Sequence, residues 1–266
     1  MSRLLVCPPD FFGIEYEINP WMRLSNRVNH EEAIRQWQTL MTVFEEELAV
    51  TLEQMIPVPG LPDLVFTANA GVVIGGTAVL SHFRYPERQR EEAHFENWFR
   101  GHGYDVMRIE TGLPFEGAGD LLGFPDCWFG GYRQRSDIRA FPILSERFHR
   151  EIIPLELVDG RFYHLDTCFC PLSGGELLYF PAAFDHYGQM AITERVREEL
   201  RLTVPENEAL KFACNAVCID KHVVLPAGCP TTEGVLQERG YETHAVQLDE
   251  FIKSGGAAKC LTLALD

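Results

Sequence analysis

Thr67-Ala68-Asn69-Ala70-Gly71-Val72-Val73-Ile74-Gly75-Gly76-Thr77-Ala78-Val79-Leu80 is a small polar turn followed by two apolar runs that flank a glycine pair. Two glycines between such runs signal a β-hairpin, because both turn positions of the favoured tight turn take positive φ. The texture returns along the chain. His164-Leu165-Asp166-Thr167-Cys168-Phe169-Cys170 and Ala213-Cys214-Asn215-Ala216-Val217-Cys218-Ile219 echo it, with Asn69, Asp166 and Asn215 in the equivalent place, and the latter opens a second hairpin through Asp220-Lys221. Glu116-Gly117-Ala118-Gly119-Asp120-Leu121-Leu122 and Ala258-Lys259-Cys260-Leu261-Thr262 are diverged copies. A spacing of roughly 45–50 residues suggests stacked or radially arranged modules, and five copies suggest a closed ring. Equivalent strand ends would then converge on one axis, so Asn69, Glu116, Asp166 and Cys260 are expected close together in space.

Between the copies lie helical patterns. Asn29 is a suitable N-cap with Glu32 three residues on, and Ile34, Trp37, Met41, Phe44 and Leu48 then recur at steps of three and four. Glu87–Arg100, Ile192–Leu202 and Thr232–Arg239 carry apolar positions at helical spacing among charges. Leu4–Cys7 reads as a buried strand stopped by Pro8-Pro9, whereas the segment through Asn19-Pro20-Trp21-Met22 has no periodicity. Each module is therefore a few strands plus a helix.

The 266 residues suffice for a sizeable core, and a formal charge of −16 argues against a surface for nucleic acid or an anionic membrane and fits small ligands, cationic ones included, or solubility alone. Eight cysteines at irregular positions do not form the framework of a small secreted domain, so a reducing cytoplasm is expected. The apolar run at the N-terminus is too short for a signal peptide, and no later run approaches a membrane span. One domain, residues 1–266, is expected, and self-association into a homo-oligomer is left open.

Several side chains have chemistry to offer. Gly255-Gly256-Ala257-Ala258-Lys259-Cys260 places a cation beside a thiol, a setting that lowers a thiol's pKa and yields the nucleophilic thiolate, although a buried cysteine in a glycine-flanked strand reads the same way. His164 and Asp166, one residue apart, share a face if they lie on a strand, and His164 is a candidate acid or base, although a lone histidine is more commonly a satisfied core residue. Glu116 before a glycine turn could orient an imidazole, or be a turn acid only. Gly117-Ala118-Gly119 lacks the third glycine and strand-to-helix context of a dinucleotide loop, so no cofactor is implied. Cys168, Cys170, Cys214 and Cys218 lack knuckle spacing, and no metal is expected.

Taken in order, Asp63-Leu64-Val65-Phe66-Thr67-Ala68-Asn69, Phe115-Glu116-Gly117-Ala118-Gly119-Asp120, His164-Leu165-Asp166-Thr167 and Gly255 through Thr262 resemble the guanidino-group-modifying superfamily of arginine deiminases, dimethylarginine dimethylaminohydrolases and amidinotransferases. The resemblance spans nearly the whole chain. It implies a five-bladed α/β propeller (pentein) of ββαβ modules and a covalent mechanism. Cys260 would attack the guanidinium carbon, His164 would protonate the departing amine and then activate water, Glu116 would orient His164, and Asp166 would hold the guanidinium nitrogens. Arg84 and Arg135 resemble arginines that pair with a substrate carboxylate, and Asp63 is expected either to contact the substrate's amino end or to shape the loop. Asn69 stands where deiminases carry an acid; an amide both donates and accepts, so it can hold a neutral ureido group as well as a guanidinium. That feature, with Asn19-Pro20-Trp21-Met22, resembles the arginine dihydrolase branch, which takes arginine to ornithine. Members of that branch often carry a further C-terminal domain, whereas this chain stops soon after Cys260. The other expectations are simple deimination, hydrolysis of methylated arginine, amidino transfer, or a propeller that binds arginine without catalysis.

Overall fold

The computed structural model describes residues 2–109 and 112–266. Its strands are β1 (Arg3–Val6), β2 (Thr51–Gln54), β3 (Gly71–Ile74), β4 (Thr77–Leu80), β5 (Asp105–Met107), β6 (Leu121–Gly123), β7 (Trp128–Tyr132), β8 (Ile152–Glu156), β9 (Phe169–Pro171), β10 (Leu177–Tyr179), β11 (Arg201–Thr203), β12 (Val217–Ile219), β13 (His222–Pro226), β14 (Glu242–Val246) and β15 (Leu263–Ala264). They form five three-stranded sheets, β3-β4-β5, β6-β7-β8, β9-β10-β11, β12-β13-β14 and β15-β1-β2. In each, an antiparallel pair is followed by a helix and a strand that returns parallel to the middle one. That is the ββαβ module, repeated five times into an α/β propeller.

The hairpin turns are as read. Gly75 and Gly76 take φ of 54° and 83°, and Asp220 takes φ of 52°. The last blade joins the two ends of the chain: Leu5 of β1 lies opposite Leu263 of β15, and β1 also pairs in parallel with β2. A cavity of about 270 Å³ runs between the inner strands, lined by Val72, Leu121, Phe169, Val217 and Leu263 among others, one from each blade.

The helices read from apolar periodicity are present with shifted bounds, whereas Ala140–Phe148, between β7 and β8, was not anticipated. The first spans His30–Thr42, capped by the Asn29 side chain accepting from the Glu32 amide, and passes into a wider π-type turn over Val43–Glu47. The pattern over Glu87–Arg100 is broken into Pro86–Gln89 and Glu92–Gly101, the latter burying Phe95, Trp98 and Phe99. The helix read over Ile192–Leu202 instead covers His186–Arg195: Asp185 caps it through the Gly188 amide, and the charged run after Val196 is a short 3-10 turn leading into β11. The last blade helix is Pro230–Glu238. No helix among the described residues is long and apolar enough to cross a membrane.

Candidate active site

Each inner strand is entered through a tight turn, and these turns lie at one end of the ring. They carry Asn69 before β3, Glu116 before β6, His164 and Asp166 before β9, Asn215 before β12 and Cys260 before β15. Glycine makes the crowding possible. Gly117, at φ 62°, packs its Cα against the Gly71 backbone, and Gly255, at φ 84°, packs against Tyr163, whose hydroxyl donates to the Gly255 carbonyl at 2.7 Å. A side chain at either would meet both a disfavoured backbone and occupied space.

Cys260 is buried, with its sulfur 3.6 and 3.8 Å from the two Asp166 carboxylate oxygens. Asn215 clamps the same residue: its amide nitrogen donates to the Cys260 sulfur at 3.1 Å and to the Asp166 carbonyl at 3.1 Å, while its amide oxygen accepts from the Cys260 and Ala257 backbone N–H groups. Burial, then the neighbouring Asp166 charge, push the thiol well above its ordinary pKa. This corrects the expectation that Lys259 would lower it: Lys259 pulls the other way, but less, and it lines the cavity among the inner strands instead. Burial likewise raises Asp166 to about 7.

The imidazole of His164 meets Glu116 at 2.7 Å through Nε2. Burial opposes ionisation of Glu116, but the Arg135 guanidinium at 3.0 Å and His164 outweigh it and hold the carboxyl far below the usual range. The backbone amide of Arg84 donates to the other Glu116 oxygen. Asp120 supports the assembly from behind, its carboxylate accepting from Ser136 Oγ at 2.6 Å and from the Leu165 amide at 3.0 Å. The shared strand face expected for His164 and Asp166 is not what aligns them. Leu165–Thr167 is a 3-10 turn, and it sends His164 to Glu116 and Asp166 to Cys260.

Beside Cys260 lies a narrow inner cavity of about 10 Å³, whose lining includes Asp63, Asn69, Arg88, Arg135, Tyr163 and Ser254. Ile18 and Asn19 of the segment without periodicity complete it, Asn19 donating to the Ser254 carbonyl at 3.0 Å. Asn69 uses both ends of its amide: Oδ1 accepts from Arg88 Nη1 at 2.9 Å and Nδ2 donates to the Glu116 carbonyl at 3.3 Å. Asp63 accepts from the Tyr16 hydroxyl through one oxygen, and its other oxygen is buried without a partner, as is Ser254 Oγ. Such atoms are costly unless something donates to or accepts from them.

The arginines divide differently from expectation. Arg135 is buried, stacked between Tyr85 and Tyr163 at 4.7 and 4.6 Å and bound to Glu116 and the Ile18 carbonyl. Arg84 is exposed and its Nε donates to the Arg135 carbonyl, outside the cavity lining. The lining arginine is Arg88, which sequence reasoning passed over because Glu87–Arg100 reads as a charged helical face; it is paired with Glu91 and lies over Phe83. Asn215 was legible as the repeat's equivalent of Asn69, without any sign that it would touch the sulfur. Among the described residues, one grouping of three with metal-ligand spacing is His222, Glu242 and His244, and none of them lines this cavity.

A buried thiol, a carboxylate beside it and a glutamate-oriented histidine at the mouth of a propeller define the guanidino-group-modifying superfamily, to which this chain belongs. No family model matches it. It is 46% identical to the bifunctional arginine dihydrolase/ornithine cyclodeaminase AgrE of Nostoc sp., over 98% of this chain but only 37% of that protein's length. It is 35% identical to the N(G),N(G)-dimethylarginine dimethylaminohydrolase of Mycobacterium tuberculosis, over 99% of this chain and 85% of that one. The structure of the N-terminal domain of ArgZ covalently bound to a reaction intermediate superposes with a TM-score of 0.96 at 43% identity, over 100% of this chain and 98% of that chain. Within the superfamily the chain therefore falls in the arginine dihydrolase branch.

Proposed function

We propose that this chain is a cysteine-dependent hydrolase of the arginine guanidinium and acts as an arginine dihydrolase, taking arginine and two waters to ornithine, carbon dioxide and two ammonia. The observation that carries the reading is the Cys260 sulfur against the Asp166 carboxylate at the edge of an inner cavity whose Arg135 is bound to the Glu116–His164 pair. The likeness to AgrE supports the dihydrolase product over citrulline. Residues 1–266 are read as one catalytic domain, supported by the pairing of β1 with both β15 and β2, and the cytoplasm as its compartment.

The unliganded site holds a neutral thiol beside a carboxylate of weakened acidity. A guanidinium placed between them reverses both tendencies, since its charge favours the thiolate and the ionised Asp166. Asp166 orients the guanidinium nitrogens, Asn215 holds the sulfur, and the thiolate adds to the guanidinium carbon. His164, oriented by Glu116, gives a proton to the departing nitrogen, and ammonia leaves an S-alkylthiouronium. The neutral imidazole then takes a proton from water, which adds to the same carbon; the thiolate departs and citrulline remains. In the second round the thiolate adds to the ureido carbon, ammonia leaves a thiocarbamate, and water releases a carbamate that loses carbon dioxide to give ornithine. Asn69, whose amide already both donates and accepts, tolerates the neutral ureido group of that round.

The rest of arginine has partners to hand. The unpartnered oxygen of Asp63 suits an α-ammonium, while Arg88 and Arg135 supply positive charge for the α-carboxylate. Arg84 acts from outside, fixing Glu116 through its backbone amide. Hydrolysis of methylated arginine is the second reading, favoured by the match that covers most of the dimethylarginine enzyme. Product identification by mass spectrometry with arginine, citrulline and dimethylarginine decides between them. Ornithine from both arginine and citrulline is expected; turnover of dimethylarginine with citrulline as the end product would establish the second reading.

A further inference from the structure

His222 and His244 sit on neighbouring parallel strands, β13 and β14, with His222 directly beside Glu242 in the register. Glu242 and His244 are two residues apart on β14, so all three side chains leave one face of the blade. His222 Nδ1 lies 3.1 Å from His244 Nε2 and 3.6 Å from a Glu242 oxygen, and the other Glu242 oxygen lies 4.0 Å from His244 Nε2. From another element, Glu47 accepts from His244 Nδ1 at 2.8 Å. That bond puts the ring proton on Nδ1 and leaves the Nε2 lone pair aimed at His222.

We propose that His222, His244 and Glu242 form a zinc site, with Glu47 fixing the tautomer of His244. Two nitrogens bound to zinc at about 2.0–2.1 Å in tetrahedral geometry stand a little over 3 Å apart, which is close to the spacing present here. A pair of imidazoles with one carboxylate selects a borderline transition ion over calcium or magnesium. The Glu47-His244 contact is the carboxylate–histidine arrangement that orients metal-binding imidazoles. Binding moves the His222 ring proton to Nε2 and replaces one N–H···N bond by two metal–nitrogen bonds, with water at the fourth position. The ion would tie β13 and β14 to the Val43–Glu47 turn, away from the catalytic cavity, so it serves as a structural clasp.

The test is calorimetric titration of zinc into the untagged, chelator-treated full chain, with cobalt absorption as a second readout. One equivalent is expected, with cobalt spectra free of thiolate charge-transfer bands and a rise in Tm on zinc addition. Affinity should fall about 10-fold or more in Glu47→Gln and Glu242→Gln, whose side chains are largely exposed and whose folding should be unaffected, and should be lost in His222→Ala/His244→Ala. The half-buried Cys218 offers a competing ligand. Binding that survives the histidine and glutamate variants, or disappears in Cys218→Ser instead, or is absent from the parent chain, would overturn the proposal.

Discussion

Asp166 is buried within 3.6 Å of the Cys260 sulfur with its carboxyl raised to about 7, because the turn that carries it gives little access to water. Its protonated form is therefore favoured by folding. The stability this represents is fully present below the ordinary aspartate value of about 3.9 and is lost as pH rises through about 7. Asp166→Asn cannot ionise. In thermal melts of the unliganded protein it should match the parent near pH 4 and exceed it at pH 8, by up to about 4 kcal/mol, while turnover disappears. Glu91 and Asp120, raised by burial to about 7 and 6, keep a residual slope of the same sign in both proteins. Identical pH dependence in the two would refute the assignment to Asp166. At Asn69 the consequence lies in the product. An aspartate cannot donate to the Glu116 carbonyl and would repel a ureido oxygen, so Asn69→Asp should still release the first ammonia but accumulate citrulline, with the second step slowed at least about 10-fold. Unchanged ornithine yield would remove Asn69 from that role.

Among the elements, the turns before the inner strands matter most, because they press five chain segments into one end of the ring. Gly117→Ala would place a side chain at φ 62° against the Gly71 backbone. The backbone conformation alone costs about 1–2 kcal/mol, so Tm should fall by several degrees; a change of less than one degree would show that the turn can relax. These turns were also where the sequence was most and least informative. The repeat exposed them, since the small polar residues before each apolar run survive in Asn69, Asp166 and Asn215, and the hairpins at Gly75-Gly76 and Asp220-Lys221 follow from local backbone preference. What the turns do to direction was not legible. A period-two reading put His164 and Asp166 on a common face, while a 3-10 turn, set by packing against Asp120 through the Leu165 amide, separates their partners. Arg88 was hidden for a related reason: an arginine on a charged helical face looks solvated, and only the break after Gln89 buries it against Glu91 and Phe83. Local pattern also misplaced the helix His186–Arg195, whose apolar periodicity is weak and whose start is fixed by the Asp185 cap.

At the scale of the molecule, a net charge of −16 surrounds the cavity proposed to take a guanidinium. Such a field concentrates and steers arginine toward the ring, and salt screens it over a Debye length of about 8–10 Å. KM for arginine should therefore rise several-fold between low salt and 0.5 M salt with little change in kcat, and a KM independent of salt would limit recognition to the cavity itself. The five blades bring together residues nearly 200 positions apart, from Asn69 to Cys260, and the whole arrangement is held to account by one covalent bond. Intact-mass analysis of the parent protein, acid-quenched during turnover of arginine and followed by peptide mapping, observes that bond directly. An adduct on Cys260 with the mass of arginine less ammonia is predicted. An adduct on another cysteine, or none on Cys260 while arginine is being consumed, would contradict it.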